Sequence, residues 1–194
     1  SDLVARLRSG DYARGWDDYE ARWGSRFAVQ RPFRFPEWGG EPLGDRRLLV
    51  YAEQGLGDEI MFASCMPDLV ASGAAVVLEC SPKLKSLFAR SFPEAEVVAC
   101  AEGDPHQPDP LSRVDVQVAS GSLPRLFRRD VRSFPPRSSY LRADVSRVAY
   151  WRARLEALGA GPKIGLSWRG GAVRTRRRLR SLELDAVLRA VARE

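Results

Sequence analysis

The sequence predicts an α/β protein in which a helical hairpin precedes a parallel β-sheet. Short apolar runs with the length of buried strands alternate with stretches whose apolar side chains recur at helical spacing. The segment 31–46 is rich in proline and glycine, and it separates this alternating pattern from the first 30 residues as a linker. Strand–helix alternation of this kind favours parallel strands joined by helical crossovers.

The first 30 residues have the pattern of two short helices. An apolar stretch ends at the turn 9–11, and an aromatic stripe follows at helical spacing, consisting of Tyr12, Trp16, Tyr19 and Trp23. This segment resembles the terminal unit of a tetratricopeptide array. Because one hairpin cannot bury such a stripe by itself, we expect these rings to pack onto the domain that follows.

Residues 47–162 are expected to form a Rossmann-like domain. The predicted strands cover 47–53, 74–80, 95–100 and 114–118, and the predicted helices cover 59–72, 83–92, 123–128 and 146–158. Pro67 should kink or shorten the first of these helices, because proline removes a backbone donor. The last helix carries an apolar stripe formed by Val148, Trp151, Leu155 and Leu158, and Gly159 is expected to end it.

Residues 163–194 are expected to begin a second α/β domain. A strand is predicted over 163–168 and a helix over 182–193. The helix would turn four apolar side chains toward a core, namely Leu184, Val187, Leu188 and Val191. A domain cut off after one strand and one helix would expose apolar surface, so we expect this unit to favour self-association.

The turn after the first strand is the leading candidate for a functional site. Residues 53–58 pass from an apolar strand through two glycines to an acidic helix start. Ligands of open α/β sheets bind at the carboxyl ends of strands, where Gly55 and Gly57 would leave the backbone accessible. The pattern lacks the third glycine of the dinucleotide fingerprint and the lysine of a P-loop. Asp58 is equally explained as a helix N-cap, so both interpretations stay open.

The net charge of +6 comes from the C-terminal segment. Residues 163–194 hold nine of the 31 basic residues and three of the 25 acidic ones, so the rest of the chain is balanced. Most of the excess comes from Arg174, Arg176, Arg177, Arg178 and Arg180. Such a cluster suits phosphate or diphosphate, and the alternative is a solvated arginine run. Binding of nucleotides or nucleic acid through this cluster stays only a weak alternative, because the aromatic platforms that accompany nucleic-acid surfaces lie mostly elsewhere.

Several other classes of site are disfavoured by composition. Cys65, Cys80 and Cys100 lack metal-ligand spacing and fall in predicted core segments, so we expect buried thiols in a reducing compartment. His106 lies in a polar loop without metal-binding or catalytic partners. No run approaches the roughly 18 apolar residues that span a bilayer, and no signal-peptide core is present. We therefore expect a cytoplasmic protein without a metal site.

Several motifs, taken in their order, resemble the bacterial tetratricopeptide-linked glycosyltransferases related to the ADP-heptose:lipopolysaccharide heptosyltransferases. These motifs lie at 10–23, 36–40, 52–60, 165–171 and 180–182, and so extend over nearly the whole chain. The resemblance implies the N-terminal half of a GT-B fold, which pairs two Rossmann-like domains. It assigns 1–30 to a terminal tetratricopeptide-like unit, 31–46 to a linker, 47–162 to the acceptor-side domain and 163–194 to the first βα unit of a truncated donor-side domain.

The resemblance also implies roles for individual residues. Asp58 would be the general base for the attacking acceptor hydroxyl. The acceptor-side turn around it would consist of Glu53, Gln54, Gly55 and Gly57. The donor phosphates would be bound by Arg169, Gly170, Gly171, Arg176 and Arg180. The implied reaction moves a sugar from a nucleotide-sugar donor to an acceptor hydroxyl, and it requires no metal or other cofactor.

The implied donor site is incomplete in these 194 residues. We therefore expect the chain by itself to be inactive, as the acceptor-side part of a heptosyltransferase-like enzyme that a C-terminal donor domain would complete. The alternative hypothesis is a non-catalytic interaction module. In that case the repeat-like N-terminus would dock a protein partner, and the Rossmann-like half would serve as a scaffold.

Overall fold

The computed structural model describes residues 2–24, 31–100, 113–170 and 181–191. Its contacts divide the chain into two compact units, Ser1–Asp144 and Val145–Glu194. The donor-side domain boundary that the sequence places after residue 162 stays a prediction.

The first unit is built on a four-stranded, all-parallel sheet with strand order β3-β2-β1-β4. The strands are β1 Arg47–Tyr51, β2 Ala75–Cys80, β3 Glu96–Ala99 and β4 Val116–Ala119. This arrangement confirms the predicted α/β class with a Rossmann-like parallel sheet. Because β1 pairs with β2 on one side and β4 on the other, the strand order reverses beside β1. Ligands of open α/β sheets bind at such a switch point.

The helices follow the predicted order. They are α1 Asp2–Ser9, α2 Tyr12–Tyr19, α3 Leu56–Phe62, α4 Met66–Ala71, α5 Lys85–Ser91, α6 Leu123–Phe127, α7 Val145–Glu156 and α8 Leu184–Val191. Short 3-10 turns cover Glu20–Gly24, Ala63–Cys65, Ser120–Ser122 and Val131–Ser133. The helix predicted over 59–72 is divided into α3, a 3-10 turn and α4, and Pro67 lies in the first turn of α4. The break that proline was expected to cause is confirmed.

The core of the first unit lies on both faces of the sheet. On one face α3, α4 and α5 cover alternate strand residues such as Leu48, Val50 and Leu78. On the other face the chain before β1 covers a second cluster, made by Leu49, Tyr51, Val77, Val98 and Ala119 with Trp23, Phe33 and Phe35 packed against it. The expected packing of hairpin aromatics onto the following domain is therefore confirmed for Trp23. Burying one such large apolar side chain contributes roughly 1.5–3 kcal/mol.

The second unit contains α7 and α8 but not the predicted strand. Residues 162–170 have no regular secondary structure, so the strand predicted over 163–168 was wrong. The physical reason is that a strand is stabilised by hydrogen bonds to a neighbouring strand, and no described strand pairs with this segment. Its Trp168 carbonyl instead accepts a bond from the Leu182 N–H at 2.8 Å.

The apolar stripes of α7 and α8 are exposed among the described residues. Val148, Trp151, Leu155 and Leu158 are 42%, 49%, 46% and 74% exposed. Leu184, Leu188 and Val191 of α8 are also exposed. An amphipathic stripe is buried only where another apolar surface covers it, and helical spacing does not reveal whether that surface is present.

The cysteines largely meet the expectation of buried thiols. Cys65 and Cys80 are fully buried, whereas Cys100 is half-buried. Burial raises the pKa of Cys65 to about 11 and that of Cys80 to about 12. His106 lies outside the described residues. None of the described helices has both the length and the apolar character needed to cross a bilayer.

Candidate functional site

The predicted turn lies at the carboxyl end of β1 and leads into α3. Gly55 is the N-cap of α3, and its N–H donates to Oδ2 of Asp58 at 3.2 Å. Asp58 thus closes the first turn of the helix while its side chain stays partly exposed. Neither Gly55 nor Gly57 has a positive φ, so the turn does not require glycine for its backbone conformation. Both glycines are exposed, as the functional interpretation expects.

Glu53 occupies a different environment from Asp58. Its side chain is fully buried, and its carboxylate accepts hydrogen bonds from Arg22 Nε at 3.1 Å and the Gly121 N–H at 3.1 Å. A Cβ on Gly121 would lie 2.3 Å from Oε1 of Glu53, so only glycine allows this approach. The carboxylate therefore links the end of β1 to the turn that follows β4.

Arg22 anchors the N-terminal hairpin to this edge of the sheet. Besides Glu53, its guanidinium donates to Glu20 at 2.8 Å and to Oγ of Ser122 at 2.7 Å. It also stacks on the ring of Trp23, with Cζ 4.2 Å from the centroid. No local sequence pattern distinguishes Arg22 from the other arginines of the hairpin, so its role was not predictable from the sequence.

Tyr19 and Gln54 form a second link between the hairpin and the turn. The Tyr19 hydroxyl accepts a hydrogen bond from Nε2 of Gln54 at 2.8 Å. The Tyr19 ring packs on Phe62, with centroids 5.8 Å apart. Burial raises the pKa of Tyr19, and the negative charges of Glu53 and Asp58 add to the increase. The phenol is therefore neutral at physiological pH.

Two further carboxylates lie at the carboxyl ends of β1 and β2. Glu59 of α3 is buried and accepts a hydrogen bond from the Ser81 N–H at 2.8 Å. Glu79 of β2 is buried and forms an ion pair with Arg31, while its Oε2 atom has no hydrogen-bond partner. Burial raises the pKa of both glutamates. A small cavity between them is lined mainly by apolar side chains and also by Ser120.

This edge of the sheet is therefore acidic. Five carboxylates lie at or beside it, with two arginines paired to them. The carboxylates belong to Glu20, Glu53, Asp58, Glu59 and Glu79, and the guanidinium groups belong to Arg22 and Arg31. Within the described parts of the chain, no group of three or more His, Cys, Asp or Glu side chains is arranged to hold a metal ion.

The predicted donor-side residues all fall in the sequence range of the second unit. Arg169 and Gly170 belong to the second unit, in its segment without regular structure. Gly171, Arg176 and Arg180 lie outside the described residues. The predicted phosphate-binding set thus stays a prediction. The assembled candidate site consists of residues from the hairpin, the turn after β1, α3, the end of β2 and the turn after β4.

Comparison with known proteins gives one relative of moderate similarity. The chain is 37% identical over 176 residues to Protein FlbA of Caulobacter vibrioides, and the match covers 84% of this chain. It spans only 30% of the length of that protein. No protein-family model matches the chain. No solved structure matches it either.

Proposed function

We propose that this chain is the acceptor-side part of a glycosyltransferase that moves a sugar from a nucleotide-sugar donor to an acceptor hydroxyl. The observation that carries the proposal is the position of Asp58, a partly exposed carboxylate at the carboxyl end of β1 and beside the switch point of the sheet. A carboxylate within hydrogen-bond reach of an acceptor hydroxyl can take up its proton. The resemblance of the motifs to heptosyltransferase-like enzymes supports the same role.

The charge of this edge is better suited to binding the acceptor hydroxyl than to binding the donor diphosphate. Asp58 is a partly exposed carboxylate at this edge, and its negative charge disfavours a diphosphate beside it but not a neutral hydroxyl. In this proposal the donor phosphates are bound instead by Arg169, Gly170, Gly171, Arg176 and Arg180. The nucleotide sugar is a cytoplasmic substrate, and the reaction uses no cofactor.

Replacing Asp58 with asparagine tests the proposal. The amide oxygen of asparagine can still accept the Gly55 N–H bond, so α3 keeps its first turn while the proton acceptor is lost. The full-length protein is the appropriate material, because the donor side is proposed to extend beyond the acceptor-side domain. A panel of nucleotide sugars would be tested for release of nucleoside diphosphate and for sugar transfer.

We expect Asp58→Asn to reduce transfer by about 10²–10⁴-fold, the range for loss of a general base. Asp45→Asn is a matched control, because Asp45 is exposed and precedes β1 at the opposite end of the strand. The control should transfer at the wild-type rate. Wild-type activity in Asp58→Asn, with folding verified, would exclude the base role.

The non-catalytic interaction module remains the second candidate, and one observation favours it. Asp58 closes a helix turn and Glu53 holds Arg22, so each acidic group of the turn has a structural role that a scaffold would also need. In this case the hairpin would dock a protein partner. The absence of both nucleotide-sugar binding by calorimetry and sugar transfer in the wild-type full-length protein would favour the module.

A further inference from the structure

Tyr19 is a residue of the hairpin whose side chain lies at the proposed acceptor site. Its hydroxyl lies 2.8 Å from Nε2 and 3.1 Å from Oε1 of Gln54, a residue 35 positions later in the chain. Gln54 belongs to the turn after β1, and Asp58 follows it in α3. The phenol of a hairpin residue thus lies at the carboxyl edge of the sheet.

The Tyr19 ring lies on the side of α3 that carries Asp58. It packs on Phe62, and Asp58 and Phe62 are four residues apart in the same helix, so they share a face. The charge of Asp58 also acts on the Tyr19 phenol, adding to the effect of burial on its pKa. Tyr19, Gln54 and Asp58 are therefore neighbours.

These three residues differ from the buried groups behind them. Glu53 and Arg22 are closed to solvent, whereas Tyr19, Gln54 and Asp58 are each partly accessible, although Tyr19 and Gln54 also hydrogen-bond to each other. A neutral phenol and an amide can both donate and accept hydrogen bonds, and a carboxylate accepts them. Together they complement a ligand whose hydroxyls also both donate and accept. The negative charge of the partly exposed Asp58 disfavours a phosphorylated ligand beside it.

We propose that Tyr19 is a positioning residue of an acceptor subsite that takes a neutral carbohydrate. Tyr19 and Gln54 hold the sugar ring through its hydroxyls so that one hydroxyl faces Asp58. This inference rests on the proposed glycosyl transfer and adds to it the substrate class and a residue supplied by the hairpin.

A binding experiment tests the subsite without requiring catalysis. The probe is methyl α-glucoside, a neutral glycoside, and glucose 1-phosphate is its anionic counterpart. Both are titrated into the isotope-labelled full-length protein, and backbone amide NMR shifts are followed. We expect methyl α-glucoside to shift the resonances of Tyr19, Gln54 and Asp58, and we expect glucose 1-phosphate to leave them in place.

Variants then test the role of the Tyr19 hydroxyl separately from the packing of the Tyr19 ring. Tyr19→Phe keeps the packing on Phe62 and removes one hydrogen-bonding group, so its Kd for methyl α-glucoside should rise about fivefold to tenfold. Gln54→Leu should raise the Kd by a similar factor. Tyr12→Phe is the matched control on the same helix, where the Tyr12 ring packs on Phe134, and its Kd should equal that of the wild type.

The outcomes distinguish this inference from the proposed function. Wild-type affinity in Tyr19→Phe, or tighter binding of glucose 1-phosphate than of methyl α-glucoside, would overturn the subsite. Tyr19-dependent binding without any sugar transfer would overturn glycosyl transfer and leave the carbohydrate site standing. In an active protein, Tyr19→Phe should raise the acceptor KM and leave the donor KM unchanged, a split that general loss of folding does not produce.

Discussion

Arg22 and Glu53 form a buried ion pair that joins the N-terminal hairpin to the sheet. Nε of Arg22 lies 3.1 Å from Oε2 of Glu53, and the two side chains are 6% and 0% exposed. The Gly121 N–H also donates a hydrogen bond to Glu53, and Ser122 Oγ accepts one from Arg22. The hairpin is thus tied to the carboxyl ends of both β1 and β4, where the candidate site lies.

Breaking this pair should cost far more stability than breaking a surface pair. Arg22→Met leaves the Glu53 carboxylate buried without its partner, so we expect a loss of about 3–5 kcal/mol in the free energy of unfolding. Arg14→Met is the control, because the Arg14 side chain is 73% exposed and losing its ion pair with Asp11 should cost less than about 1 kcal/mol. Urea denaturation measures both. Equal losses in the two variants would contradict the structural role of Arg22.

Two glycines of the site should respond to alanine in opposite directions. A Cβ on Gly121 would lie 2.3 Å from Oε1 of Glu53, so Gly121→Ala should destabilise the protein by about 1–3 kcal/mol. Gly57 lies in α3 with open space around it, so Gly57→Ala should stabilise by about 0.5–1 kcal/mol through helix propensity. Thermal unfolding of the two alanine variants, measured side by side, checks both predictions. A stabilising Gly121→Ala would show that the Glu53 contact is not tight.

Glu59 should make the protein less stable as the pH rises. Burial raises its folded-state pKa above the ordinary 4.5, with Glu79 and Asp58 adding to the increase and the Ser81 N–H opposing it. The folded state then binds more protons than the unfolded state between the two pKa values, so stability falls as the pH rises through this window. Glu59→Gln should therefore be more stable than the wild type at pH 7, and the gain should shrink toward pH 4.

The gain from Glu59→Gln would be measured by urea unfolding at a series of pH values. Glu94→Gln is the control, because Glu94 is an exposed glutamate between α5 and β3. The control should leave the pH profile unchanged. If Glu59→Gln changed the free energy of unfolding by the same amount at every pH, the Glu59 carboxylate would not be the cause of the pH dependence.

Asp68 should have the opposite pH dependence. Its burial opposes ionisation, but the hydrogen bonds from Arg128 and Arg137 outweigh that effect and hold the pKa of Asp68 below its usual 3.8. The stabilisation that ionised Asp68 gives the folded state is therefore fully present above the unfolded-state pKa. It is lost as the pH falls through the folded-state pKa. Asp68→Asn should lower the stability by about 1–3 kcal/mol at pH 7 and by less near pH 3. A constant difference across this range would contradict the assignment.

Much of the fold of the first unit could be predicted from local sequence. The apolar runs before Glu53 and after Gly73 form β1 and β2, and the position of Pro67 matches the break between α3 and α4. These features depend on side-chain spacing and on backbone restrictions of single residues. The strand predicted over 163–168 failed because its stability depends on a neighbouring strand rather than on its own composition.

The candidate site was only partly predictable. The sequence singled out Asp58 at the turn, and the structure places it at the carboxyl end of β1 as a partly exposed helix-turn residue. Its role as a base stays a prediction. The same motif did not reveal that Glu53 is buried whereas Asp58 reaches solvent, because both are acidic residues five positions apart in one turn.

The sequence by itself determined that this protein has a parallel α/β sheet and an acidic turn after its first strand, because periodicity and turn residues act over a few neighbours. Only the tertiary structure decided which side chains surround that turn. Arg22 reaches Glu53 over 31 positions and Ser122 over 100, and Tyr19 reaches Gln54 over 35. Contacts at such separations form only when the sheet and hairpin pack together, so no local pattern encodes them.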